Sequence, residues 1–161
     1  MSREKLITRL TFDIRQIDSL MRTYSGLLAR ARAQEPDHVE KAALCAVVQS
    51  FYHGVESICL AVAKAIDGSV PSGPEWHRQL LAQMSHDTPD RGRIVTSEAH
   101  AALTRYLSFR HFARHSYASM LQWQKLKELV EPLPQVWEDL QAQLLGFVDH
   151  LRAREAEDPS W

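Results

Sequence analysis

Hydrophobic residues recur every three or four positions along almost the whole chain, which is the spacing of an amphipathic α-helix. The first series lies near the N-terminus and comprises Leu6, Leu10, Ile14, Ile17, Met21, Tyr24 and Leu28. It predicts one long helix that fades near Ala33, because Pro36 follows and proline is tolerated only in the first turn of a helix. The chain shows no β-strand alternation and no internal repeat, so the pattern predicts an all-α protein.

A second helix is predicted by both its start and its apolar face. Asp37 and Glu40 have the spacing of a capping box, in which each residue's side chain bonds the other's backbone N–H. The wide apolar face that follows is typical of a bundle member and comprises Leu44, Val47, Val48, Phe51, Val55, Ile58, Cys59, Val62 and Ile66. The helix should stop at Asp67 and Gly68.

Turn signals divide the rest of the chain into three further helices. Residues 68–74 read as a turn, and the capping-box spacing of Ser72 and Glu75 predicts a short helix after them. Residues 85–94 combine proline, glycine and charged residues and read as a mobile loop. A long helix opens at Ser97, and the prolines of residues 131–134 separate it from the last one.

The predicted architecture is an up-and-down four-helix bundle with an additional short helix. The 161 residues fit a single domain, for which we take residues 1–155, followed by a polar C-terminal tail at residues 156–161.

The net charge of the chain limits the kinds of molecule that it can be expected to bind. A net charge of -1 argues against a generally basic nucleic-acid binder. A polyanion would therefore have to be held by a local cluster such as Arg105, Arg110 and Arg114, with help from Arg91 and Arg93.

The two cysteines and the apolar stretches indicate a cytoplasmic protein. Cys45 and Cys59 lie 14 positions apart on one predicted helix, roughly 21 Å by helical rise, which is too far for a disulfide between them. Residues 1–5 are charged and show no secretory signal. The longest apolar stretches are far too short to cross a membrane, so no membrane partner is expected.

Side chains that can bind a phosphate or transfer a proton are most concentrated at residues 110–117. They are Arg110, His111, Arg114, His115 and Tyr117. On a helix, Arg110, Arg114 and Tyr117 fall within about 60° of one another. The two histidines form an i,i+4 pair on the flank of that stripe.

Arginine and histidine at this spacing suit metal-free chemistry at a phosphodiester. The guanidinium fork binds nonbridging phosphate oxygens, and binds them better as charge grows in the transition state. Histidine, with an unperturbed pKa of about 6.5, takes or gives protons at neutral pH. In RNA the 2′-hydroxyl is an internal nucleophile, so such a site would cleave the chain to a cyclic phosphate without a metal.

The same residues carry a resemblance to a known family. Arg110, His111 and His115 have the Arg-polar-x3-His form of HEPN-superfamily ribonucleases, and with Tyr117 they resemble the Arg-x4-6-His-x-Tyr motif of HepT-like toxins. Residues 51–56 and 74–81 are similar to the second and third helices of HepT-like proteins, and helix order and length agree over nearly the whole chain.

This resemblance implies the toxin of a bacterial toxin–antitoxin pair, partnered with a minimal nucleotidyltransferase (MNT-type) antitoxin. It implies a homodimer with a composite RNA site and no cofactor. Arg110 would bind the phosphate and transition state, His115 would be the general base or acid, and Tyr117 would accept AMP from the antitoxin. His111 would orient the site. Arg114 is not a motif position, but its helical phase beside Arg110 suggests that it assists RNA binding.

Other interpretations of these residues remain open at this point. Glu56 is either a buried acid that pairs with a site arginine or a solvated side chain, whereas Trp76 and His77 look like packing and surface residues. The protein could be a HEPN-like module that binds a nucleotidyltransferase without cleaving RNA.

A metal-binding helical bundle is the rival from another class. His111 and His115 could share one metal ion, with Glu56 or His53 as a third ligand. The arginines at 110 and 114, however, would repel a cation held by these histidines.

Overall fold

The computed structural model describes residues 1–114 and 122–158, and of Arg114 it describes the backbone only. Within these residues the regular structure is helical, apart from one isolated bridge between Thr88 and Arg91, which confirms the all-α prediction. The helices are α1 (Arg3–Thr23), α2 (Ser25–Ala33), α3 (His38–Val62), α4 (Trp76–Met84), α5 (Ser97–Arg114), α6 (Trp123–Val130) and α7 (Leu133–Glu157).

The four long helices form a closed ring around one core. α1 packs against α3 and α7, and α5 packs against the same two helices. This is the neighbour pattern of the predicted four-helix bundle. The short α4 lies against α3 and α5, and α6 lies against α3. α4 therefore lies against both α3 and α5, the two long helices that carry the candidate site.

Aromatic residues from three helices meet at the centre of the core. The ring of Phe51 on α3 makes edge-to-face contacts with Tyr106 on α5 and Trp137 on α7, at centroid distances of 5.2 and 6.3 Å. The buried hydroxyl of Tyr106 donates a hydrogen bond of 2.6 Å to the carbonyl of Leu129. A buried tyrosine needs such a partner for its hydroxyl. This bond fixes α5 to α6 one turn before Arg110.

The first predicted helix is divided in two. α1 ends at Thr23 and α2 begins at Ser25, with Tyr24 in a non-helical conformation between them. The Ser25 hydroxyl donates to the carbonyl of Arg22 at 2.9 Å, a bond that competes with the helical pattern of the backbone. The prediction of one continuous helix was therefore wrong at this break, while the predicted end at Ala33 is confirmed.

α3 begins and ends where the sequence indicates. The Asp37 carboxylate accepts from the backbone N–H of Glu40 at 2.8 Å, and the Glu40 carboxylate accepts from that of Asp37 at 3.2 Å, which confirms the capping box. After Val62 the helix continues as a π-helical turn, Ala63–Asp67, and Gly68 ends it with φ of 62°. That left-handed conformation favours glycine.

Gly54 allows α1 to approach α3 closely. A Cβ at this position would lie 2.7 Å from Cγ1 of Ile17 on α1, closer than two carbon atoms can pack. The missing side chain therefore sets the spacing between these two helices in the middle of α3.

Arg91 holds the loop between α4 and α5 to the end of α3. Its Nε and Nη2 donate to the Asp67 carboxylate at 2.8 and 2.6 Å. Its remaining three N–H groups donate to the carbonyls of Gln83, His86 and Gly92 at 3.2–3.3 Å. All five guanidinium donors are thus satisfied inside the protein. The expectation that Arg91 helps to bind a polyanion was wrong, and the sequence showed only a mobile loop where this anchor lies.

Two smaller expectations have different outcomes. α4 begins after Glu75 with no side-chain hydrogen bond at its cap, so the predicted capping box from Ser72 is wrong. Cys45 and Cys59 are both buried and free, as predicted.

One helix is longer and more apolar than the sequence pattern suggested. The helical segment His38–Asp67 could cross a membrane by length and composition alone, contrary to the expectation that every apolar stretch is too short. Of its apolar window, 56% is buried inside the bundle. The central helix of a bundle passes the same test, so the segment is weak evidence for a membrane span.

Candidate functional site

Arg110 points towards the interior of the bundle. It follows Leu103, Tyr106 and Leu107 at the i, i+3, i+4, i+7 spacing of one helix face, and these three side chains are buried. The Arg110 side chain is accordingly only 16% exposed. A guanidinium in that position needs an acidic partner, because an unpaired charge is costly to bury.

Glu56 on α3 is that partner. Its side chain is 7% exposed, and its two carboxylate oxygens lie 3.3 and 3.4 Å from Nη1 of Arg110. Of the two interpretations of Glu56, the buried acid paired with a site arginine is therefore confirmed. The pair joins residues 54 positions apart in the sequence.

His77 on α4 binds the same carboxylate. Its Nδ1 lies 2.5 Å from Oε2 of Glu56, and because an ionised carboxylate only accepts, Nδ1 carries the proton and donates it. The indole of Trp76 stacks on the imidazole with a centroid distance of 3.6 Å. Sequence reasoning took His77 for a surface residue and missed this contact.

Nδ1 of His77 also lies 3.3 Å from Nη1 of Arg110. Both atoms are donors, so they do not bond each other and instead converge on the Glu56 carboxylate. The three residues, which we call the Glu56 triad (Glu56, His77 and Arg110), bring together one helix each: α3, α4 and α5.

A cavity of about 180 Å³ opens beside the triad. At about 30 Å³ per water, it has room for about six waters or a phosphate group. It is lined by Pro74, Glu75, His77, Arg78, Leu107, Arg110 and His111. The wall of this cavity carries more cationic than acidic side chains, because Glu56 lies behind Arg110 and does not line the cavity.

Arg78 adds a second guanidinium at the mouth of this cavity. Its Nη2 lies 3.5 Å from the Ser108 hydroxyl, and its Nε lies 3.5 Å from the Glu75 carboxylate. Both members of that ion pair are more than half exposed, so solvent screens their attraction strongly. Arg78 is therefore held only loosely and can turn towards a bound anion.

The phenol of Tyr52 is buried near the triad. Burial raises the pKa of this phenol well above its ordinary value, and the neighbouring Cys59 and Glu56 act in the same direction, while Arg110 and Arg78 oppose them. Tyr52 is thus neutral at physiological pH and adds no charge beside Arg110.

The structure describes only some of the predicted site residues. Arg110 and His111 line the same cavity, so the structure brings these two together. Arg114 ends α5, and its side chain lies outside the described residues, as do His115 and Tyr117. Arg105 lies on another side of α5, where its guanidinium is 3.7 Å from Glu128. The predicted cluster of Arg105 with Arg110 is therefore wrong.

Two further observations concern other kinds of site. In the part of the chain that the structure describes, no three His, Cys, Asp or Glu side chains are arranged to hold a metal ion. The metal-binding alternative requires His115, which lies outside that part. A larger groove of about 490 Å³ between α1 and α3 contains none of the predicted site residues.

Comparison with known proteins gives one match. A family model described as "HepT-like protein" matches residues 43–151, a range that includes all three members of the Glu56 triad. No curated protein and no solved structure matches the chain.

Proposed function

Because the chain belongs to the HepT-like family of the HEPN superfamily, we propose that it is a metal-independent endoribonuclease and the toxin of a bacterial toxin–antitoxin pair. The observation that carries this proposal is the position of Arg110. A buried carboxylate holds its guanidinium at the wall of a phosphate-sized cavity.

Arg110 is suited to recognise the scissile phosphate. Glu56 engages only Nη1, and the other N–H groups of Arg110 bond no atom of the residues that the structure describes. They are thus available to the nonbridging oxygens of a phosphodiester. Because Glu56 already fixes the side chain, little ordering is required when RNA binds.

The proposed reaction is attack of the RNA 2′-hydroxyl on the adjacent phosphorus. The bond from O2′ to phosphorus forms and the bond to O5′ breaks, which leaves a cyclic phosphate and a free 5′-hydroxyl. His115 is the proposed general base or acid in this step. His111 orients the site, and Arg114 assists RNA binding. The positive charge of Arg110 supplies the electrostatic stabilisation that a metal ion gives in other nucleases.

The proposed assembly is a homodimer in which two copies of residues 105–117 face each other and form a composite RNA site. The proposed antitoxin is an MNT-type nucleotidyltransferase that transfers AMP to Tyr117 in the cytoplasm. On a continued helix, Tyr117 shares a face with Arg110. An AMP group there would place its phosphate against the arginine and block the RNA site.

The test is cleavage of total cellular RNA by the purified protein in EDTA, beside the double variant Arg110→Ala/His115→Ala. We expect products with cyclic phosphate ends from the wild type and none from the variant. Since Arg110→Ala leaves Glu56 without its charge partner, His115→Ala alone serves as a second inactive variant. His38→Ala, an exposed position at the start of α3, is the active control.

Absence of cleavage by the wild type, with Tyr117 shown by mass spectrometry to carry no AMP, would overturn the ribonuclease assignment. The protein would then be a non-catalytic HEPN-like partner of a nucleotidyltransferase. For the modification, Tyr117→Phe should abolish AMP transfer by the antitoxin, and AMP found on the variant would identify another acceptor.

A further inference from the structure

We infer that His77 is a second proton-transfer group of this site, the general acid that protonates the 5′-oxygen as it leaves, and that Glu56 is its positioning residue. The inference rests on the proposed ribonuclease function. It concerns His77 and Glu56, two residues outside the motif at 110–117. From the sequence alone, neither of them was assigned a role in proton transfer.

The first support is the orientation of the imidazole. One ring nitrogen of a histidine sets the role of the other. With Nδ1 donating to Glu56 at 2.5 Å, Nε2 is the nitrogen that exchanges protons. A carboxylate in this position also stabilises the imidazolium, as the buried aspartate does in a serine-protease triad. Trp76, stacked on the ring, restricts its tilt.

The second support is access. His77 is 26% exposed and lines the cavity with Arg110, whereas its carboxylate partner is buried. Nε2 makes no hydrogen bond to any residue that the structure describes. A partly exposed imidazole that lines a cavity can exchange a proton with a bound ligand or with solvent, which a fully buried one cannot.

The third support is proximity to the phosphate-binding group. Nδ1 of His77 is 3.3 Å from Nη1 of Arg110, so the imidazole edge is in contact with the guanidinium. A phosphodiester that accepts hydrogen bonds from Arg110 therefore lies beside the imidazole. General acid catalysis requires the donor, here Nε2, to come within hydrogen-bond reach of the departing oxygen, and His77 shares the cavity with Arg110.

The step balances without a co-reactant. The 2′-hydroxyl loses its proton to a base, for which His115 is the candidate, as O2′ bonds to phosphorus. The bond from phosphorus to O5′ breaks, and Nε2–H of His77 gives its proton to O5′. His77 ends the step as a neutral ring and regains a proton from solvent. Glu56 accepts the hydrogen bond from Nδ1 in both states of the ring and so holds its orientation through the step.

The decisive experiment compares two leaving groups. A short RNA that the wild-type protein cleaves is prepared with either oxygen or sulfur at the 5′-bridging position of the cleaved linkage. A thiolate leaves without protonation, so it does not need a general acid. The variant His77→Asn keeps an N–H donor for Glu56 and removes the acid, and His38→Ala is the control.

We expect His77→Asn to slow cleavage of the oxygen substrate by about 100-fold to 10,000-fold, the usual contribution of general acid–base catalysis. Cleavage of the sulfur substrate should stay near the wild-type rate. Equal slowing of both substrates, or no slowing of either, would overturn the inference while leaving the ribonuclease assignment intact. If the wild type cleaves no RNA at all, the proposed function fails and the inference with it.

A second measurement reads the orientation of His77 without catalysis. The ¹⁵N spectrum of the neutral side chain should show the tautomer protonated at Nδ1, and Glu56→Gln should weaken that preference, because an amide oxygen is a poorer acceptor than a carboxylate. A neutral His77 protonated at Nε2 in the wild type would show that Glu56 does not position it and would overturn the inference.

Discussion

Asp67→Asn tests the role of the buried ion pair with Arg91. The side chains of Arg91 and Asp67 are only 2% and 4% exposed, so solvent scarcely screens them. The substitution preserves the size of the side chain but removes its charge. It also turns one of the two oxygens that face the guanidinium into an N–H₂ group. Arg91 is then a buried cation with its three carbonyl acceptors and no counterion.

Breaking a buried pair by removing one partner costs about 3–5 kcal/mol, because the remaining charge stays desolvated. In a domain of this size, 1 kcal/mol corresponds to about 2–4 °C in melting temperature. Asp67→Asn should therefore lower the melting temperature by about 6–20 °C. The double variant Asp67→Leu/Arg91→Met should recover only part of the loss, because it removes both buried charges but leaves the carbonyls of Gln83, His86 and Gly92 without their donor.

The assays are thermal unfolding for the melting temperature and urea unfolding for the free energy, both followed by circular dichroism, with Asp149→Asn as the matched control. Asp149 pairs with Arg152 at 3.2 Å, but the two side chains are 73% and 54% exposed. Exposed pairs contribute about 0–1 kcal/mol. A loss below about 1 kcal/mol for Asp67→Asn, equal to that of the control, would refute the reasoning that burial makes this pair costly to break.

Three further substitutions test other parts of the structure. Tyr106→Phe removes the donor to the Leu129 carbonyl and should lower the free energy of unfolding by about 1–3 kcal/mol in urea titrations; an unchanged midpoint would contradict the importance of that bond. Burial raises the pKa of the Cys59 thiol from 9.0 to about 12. The neutral, buried thiol therefore contributes its full stabilisation below pH 9, and this stabilisation is lost as the pH rises towards 12. The free energy of unfolding should thus fall less steeply between pH 9 and 11 in Cys59→Ala than in the wild type, and equal slopes would contradict this. Arg110→Lys keeps the charge but loses the fork, so RNA cleavage should fall about 100-fold or more with the fold retained, whereas a wild-type rate would show that charge alone suffices.

The starts of the long helices could be predicted because they depend on local patterns, whereas the separate start of α6 after the extended residue Gln122 was not predicted, and the expectation of one helix from Ser97 to the prolines was wrong there. The capping box at Asp37 and the left-handed turn at Gly68 involve residues within a few positions of each other. The break at Tyr24 could not be predicted in the same way. It depends on whether the Ser25 hydroxyl bonds the backbone of α1, and the apolar spacing continues across it unchanged.

The candidate site was predictable in part for the same reason. Arg110 and His111 belong to one turn of one helix, whereas the partners of Arg110 come from helices 54 and 33 positions earlier. Even so, the sequence holds a signal for Glu56. It lies between Tyr52, Val55 and Cys59 on the buried face of α3, just as Arg110 continues the buried face of α5. Opposite charges at inward positions of two helices in one bundle are candidates for a buried pair.

The cationic wall of the cavity beside Arg110 couples the folding equilibrium to the concentration of anions. An anion that occupies the cavity binds the native chain but not the unfolded one, in which α4 and α5 no longer bring Arg78 and Arg110 together. Such a ligand stabilises the fold by mass action, by about 2.7 kcal/mol at one hundred times its dissociation constant. RNA fragments and inorganic phosphate would thus act as stabilisers of the protein, and a rise in melting temperature with phosphate would titrate the site without any cleavage.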